Sequence, residues 1–274
     1  MIGNSIKQEG KLTKMSYDEI PEEPEKRRVI AIVSRLGLQQ LTQVSNKPNQ
    51  EGLAARGIFH NEQVCLIDAS TIKSTPLIEK LKGSALFNPG AILIQSPYDP
   101  SSYANASEAS YTFAKAKCVL FSTLCGLLAA RKVSVINAEI VTSNSQEKLS
   151  GGANTPYGGG SAEAQKIAEA KMKKEIIIER TFAQNEPKLD KAKEYMSKYQ
   201  WLSDDHINSL LELREAGVPI EKETYILSVT SESKTNLNIA FSLNIPTQVD
   251  LKVNIERIKN ETFDFSAKFE VEFW

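Results

Sequence analysis

Three runs near the C-terminus alternate apolar and polar residues with a strict period of two. Leu237, Ile239, Phe241, Leu243 and Ile245 form the first, and Val249, Leu251, Val253 and Ile255 the second. Phe263, Phe265, Ala267, Phe269, Val271 and Phe273 form the third. Successive side chains of a strand point to opposite faces, so this spacing predicts strands with one apolar and one polar face. Pro246-Thr247 and Lys259-Asn260-Glu261 are turn material between them. Tyr225–Thr230 adds a fourth strand, and the expected product is an antiparallel meander covered on one side. Alternating segments of this length also have the pattern of a membrane β-hairpin, which is the second way to satisfy them.

Upstream, Val29–Val33, Val64–Asp68 and Ala91–Ile94 are short apolar runs and read as buried strands. Thr75–Lys82 lies between the last two, with Pro76 suited to a first helical position and Gly83 to a stop, which gives a β-α-β unit. Tyr103–Lys132 reads as one long buried helix on the spacing of Ala114, Cys118, Phe121, Cys125 and Leu128. Val133–Val141 and Ile176–Phe182 are expected to pair as a long strand hairpin around a glycine-rich excursion. Asn185–Tyr199 and Ser203–Ala216 form an αα-hairpin, stopped by Gly217 and Pro219. The expected fold class is α+β: a polar tail over 1–28, then one domain over 29–274 with a possible sub-boundary near 183–224.

Composition narrows the function classes. Lys and Arg total 33 against 34 Asp and Glu, and this balance argues against a protein that grips phosphate backbones. Two His and 3 Cys leave little for a zinc site, a disulfide framework or histidine catalysis, so neither metal nor cofactor is expected. The longest apolar-rich run, Cys118–Ala130, is shorter than a spanning helix requires. With no secretory pattern after Met1 or the alternative start Met15, the expected location is cytoplasmic.

Few residues suggest chemistry. Asp68 and Asp99 fall at or just after strand ends, where a carboxylate pair can hold a cation or exchange protons, although local turn hydrogen bonds are the commoner reason for Asp there. Gly151, Gly152, Gly158, Gly159 and Gly160 precede a helical pattern and offer a weak anion cradle, without the Lys and Ser/Thr of a phosphate loop. His60 and His206 stand beside turn or helix-start residues, and Cys65, Cys118 and Cys125 lie in apolar runs as core thiols. Phe273 and Trp274 end the chain as a possible interface plug. The leading expectation is a non-enzymatic protein acting through a protein partner or its own copies, without nucleic acid. The alternatives are a membrane-acting, pore-forming effector that uses the C-terminal strands, and a carboxylate-dependent enzyme that uses Asp68 and Asp99.

Overall fold

The computed structural model describes residues 17–142, 176–199, 205–228, 231–243 and 263–274. It is an α+β fold with two four-stranded sheets. Sheet A contains β1 (Val29–Val33), β2 (Val64–Asp68), β3 (Ile92–Gln95) and β4 (Tyr103–Asn105) in the order β2-β1-β3-β4. β1 and β2 are parallel, while β3 is antiparallel to both β1 and β4. The strands of the expected β-α-β unit, β2 and β3, therefore flank β1, with α3 (Pro76–Gly83) between them in sequence. Every residue of β1, β2 and β3 is buried, so these strands carry unbroken apolar runs rather than alternation. Ile30, Ile32, Ile67 and Leu93 pack with Ile78 and Leu81 of α3 on one face, and Val29, Ala31, Val33 and Ile94 face the main core.

Two helices, α1 (Arg35–Ser45) and α2 (Gln50–His60), make the crossover from β1 to β2. Ser34 Oγ accepts from Gly37 N at 3.0 Å and Asn49 Oδ1 from Gly52 N at 2.9 Å, so each helix starts on a side-chain cap. The expected tail is packed over its described part: Tyr17 O accepts from Asp68 N at 3.0 Å, and the Tyr17 ring meets Phe59 edge-on. Its polar composition concealed Tyr17 and Ile20, which lie against the two core clusters.

The long helix α4 (Ala109–Leu127) starts later than its apolar spacing suggests, because Tyr103–Asn105 is drawn into β4. Asn105 Oδ1 then accepts from Ser107 N and Oγ and turns the chain. Ala129, with φ of 65°, reverses it at the other end.

Sheet B contains β5 (Ala130–Thr142), β6 (Glu179–Thr181), β7 (Lys222–Ser228) and β8 (Phe263–Phe273), antiparallel throughout in the order β6-β5-β8-β7. Phe121 of α4 lies 5.0 Å from Phe269 and 5.4 Å from Tyr225, centroid to centroid, which fixes the helix on the inner face of the sheet. The αα-hairpin, α5 (Leu189–Lys198) and α6 (Asp205–Glu215), buries Ala192, Met196, Ile207 and Leu210 in the same core.

One alternating run departs from expectation. Ser231–Ser242 is a helix, α7, where Leu237–Ile245 predicts a strand. Asn236, Leu237, Ile239, Ala240 and Leu243 also fall at the three- and four-residue intervals of a helix face, and all five are buried. Val249–Ile255 lies outside the described residues.

Candidate functional surface

The two aspartates are not brought together. Asp68 pairs with Val33 at the C-terminal end of β1. Gln95 N donates to Arg28 O just before the N-terminal end of β1, and Asp99 follows in the turn from β3 to β4. The carboxylates stand at opposite ends of a strand about 13 Å long, beyond the few ångströms that ligands of one cation require. Each is engaged locally. Asp68 Oδ1 accepts from Ser70 N at 2.8 Å and from Ser70 Oγ at 2.6 Å. Asp99 accepts from Ser101 N, Ser101 Oγ and Ser102 Oγ at 2.9, 2.7 and 2.6 Å. Burial pushes the Asp99 carboxyl up, but those hydrogen bonds and nearby Lys80 outweigh it and hold the group below its ordinary range. These are turn-forming roles, so the expected catalytic pair is not assembled.

The remaining candidates separate in the same way. His60 ends α2 and His206 lies in the first turn of α6, both on exposed or solvent-facing positions. All three thiols are buried and free, and burial pushes Cys65 and Cys118 up to about 12 and Cys125 higher still. Among the described residues, no three His, Cys, Asp or Glu side chains group as a metal site. Gly151–Gly160 lies outside the described residues. Phe273 is 5% exposed with the Arg214 guanidinium over its ring at 4.8 Å, whereas Trp274 is 52% exposed and lies 5.9 Å from Arg131. The terminal pair is thus split between core and surface.

A polar network that no motif announces joins the two halves of the chain. Asn236 of α7, 2% exposed, donates through Nδ2 to Gln95 O at 3.1 Å and accepts from Arg28 Nη1 at 3.2 Å. Gln95 Nε2 contacts the carbonyls of Pro24 and Pro100 and the Tyr103 hydroxyl, which donates to Arg27 O at 3.0 Å. Burial pushes the Tyr103 phenol up to about 12, so it stays a donor across the physiological range. The only sequence signal for Asn236 was a polar residue next to an apolar run. Lys117 of α4 is 3% exposed and donates to Ser228 O at 2.8 Å, where β7 ends.

Sheet B presents a different surface. Its outer face carries Lys132, Lys222, Glu270 and Glu272, with ion pairs Lys132–Glu179 at 2.6 Å and Lys222–Glu270 at 2.7 Å. β7 lies at the sheet margin and, among the described strands, pairs only with β8. Lys222 guards the start of that edge, but Thr224, Ile226 and Ser228 are exposed and uncharged, with Ile226 63% exposed. Ile136, 53% exposed, sits in a β-bulge of β5 across Lys268 from Ile226. No described helix is long and apolar enough to cross a membrane. No family model matches the chain, and neither a curated protein nor a solved structure matches it.

Proposed function

We propose that this protein acts by association rather than catalysis, and that the edge of β7 is where a second copy joins it. The observation that carries the reading is the uncharged stretch Thr224–Ser228 at the margin of sheet B, which pairs only with β8 among the described strands. Edge strands of monomers are normally blunted by charge, proline or a bulge, because unpaired backbone groups otherwise recruit another strand. From Thr224 to Ser228 β7 has no charged residue, no proline and no register shift against β8. The separation of Asp68 from Asp99 lends no support to the carboxylate-dependent alternative.

Size-exclusion chromatography with light scattering tests the reading. The full chain is expected to exceed monomer mass as concentration rises. Ile226→Lys, a solvent-facing change that adds a guarding charge, is expected to weaken association at least about tenfold while leaving the fold intact. A wild-type chain that stays monomeric at the highest concentration reached would overturn the proposal.

A further inference from the structure

The cross-strand registers of sheet B set its outward residues in rows. Lys132 stands opposite Thr181 and Glu272, and Glu272 opposite Lys222, which makes one charged row. The next row holds Glu179, Ser134, Glu270 and Thr224. Val135 N donates to Ile178 O, so the β5–β6 pairing continues past Glu179 and brings Ile177 opposite Ile136. Ile136 is the extra residue of the bulge beside Lys268, and Lys268 stands opposite Ile226. The third row is therefore Ile177, Ile136, Lys268 and Ile226, and it runs across the whole sheet. All three isoleucines are exposed, and Ile177 at 76% is the most exposed large apolar residue described.

Single isoleucines on a surface are ordinary, but three aligned on one sheet face form an apolar band. The charges around the band differ in state. Lys132 pairs with Glu179, Lys222 with Glu270 and Arg131 with Glu272, whereas Lys268 pairs with no acid among the described residues.

We propose that this face is a second self-association surface, on which sheet B of another copy stacks about a twofold axis parallel to the strands, between β5 and β8. The stacking does not use the edge of β7 and goes beyond it. Such an axis keeps the rows in line and exchanges the columns, so β6 lies over β7 of the second copy and β5 over its β8. Ile177 then meets Ile226 of the second copy, and Ile136 meets the aliphatic stem of its Lys268. In the first row Lys132 meets Glu272, opposite charges on both sides of the axis, and Thr181 meets Lys222. In the second row Ser134 meets Glu270 and Glu179 meets Thr224, so no like charges oppose one another. A twofold axis across the strands through the isoleucine row would instead set Lys268 against Lys268. Aligned sheets pack about 10 Å apart with a rotation of about 30°, so the match is tightest on β5 and β8 beside the axis.

Cysteine cross-linking of the full chain tests the arrangement, because the three native thiols are buried. Ile177→Cys and Ile226→Cys chains, mixed in equal amounts and treated with a short bismaleimide, should give the product that joins 177 to 226 at least about tenfold over the one that joins 226 to 226. Ile226 belongs to both surfaces and Ile177 to this face alone. A predominant link from 226 to 226 would support joining at the β7 edge and overturn the stacking. Introduced thiols that resist labelling in the monomer would mean that the chain itself covers the face, and would overturn it too. Lys132→Glu and Glu272→Lys give a second readout. Each variant alone sets like charges across the axis and should weaken association at least about tenfold. Their mixture sets opposite charges there and should return association to within about twofold of wild type. Mixing that restores nothing would refute the proposal, as would an equal gain from mixing Lys82→Glu with Glu62→Lys, two reversals outside sheet B.

Discussion

Two alanines in left-handed backbone show how local chemistry and fold disagree at single residues. Gly83 reads as the stop of α3, yet it is the last helical residue, and the left-handed position falls on exposed Ala85 with φ of 57°. Ala85 N donates to Lys82 O and Leu86 N to Leu81 O, a glycine-type helix end built on a residue with a Cβ. That conformation costs an L-residue about 1–2 kcal/mol, and glycine is free of it. Ala85→Gly is therefore expected to raise stability by about 0.5–1 kcal/mol after its larger unfolded-state entropy is counted, read as a higher urea midpoint at constant slope. Ala129 shares the geometry but is buried, so its methyl group offsets part of the strain.

At the scale of elements, the α1–α2 crossover depends on a close backbone approach. A Cβ on Gly52 would stand 1.9 Å from Lys47 O and 2.8 Å from Lys47 C, both main-chain atoms that cannot move aside cheaply. Arg56 Nη1 ties the same turn by donating to Ser45 O and Lys47 O. Gly52→Ala is expected to cost about 3 kcal/mol or more. Gly57, one turn later on the same helix, has open space around it, so Gly57→Ala should stabilise by about 0.5–1 kcal/mol. Paired urea titrations with opposite shifts would confirm that the approach to Lys47, and not glycine flexibility, is the constraint. Equal shifts would refute it.

Across the whole molecule, α7 is where the C-terminal half meets sheet A. Asn236→Ala strips a buried partner from the Gln95 carbonyl and from the Arg28 guanidinium. The expected loss is about 1–3 kcal/mol, with faster amide exchange concentrated in Ser231–Ser242. Exchange that rises evenly over both sheets would show instead that α7 has no separate stability. Much of the fold was legible before any coordinates: the buried strands β1, β2 and β3, the αα-hairpin, and β8 with its unbroken alternation. Each carries one unambiguous signal: an unbroken short apolar run in β1, β2 and β3, a helical period in the hairpin, a period of two in β8. α1 and α2 carry weaker patterns, and the polar stretch before Val29 concealed the contacts of Tyr17. The site candidates fared less well, because residue type cannot report which end of a sheet a strand terminus occupies. Asp68 and Asp99 each follow an apolar run, and only the antiparallel setting of β3 sends them to opposite ends.

The sequence by itself determined an α+β chain with one-sided sheet patterning and buried thiols, since burial and period are local properties of composition and spacing. The tertiary structure alone decided that Leu237–Ser242 is helical. Both periods are written into that run, and the contacts of Asn236, Leu237 and Ala240 with distant residues outweigh a local preference worth a few tenths of a kcal/mol per residue.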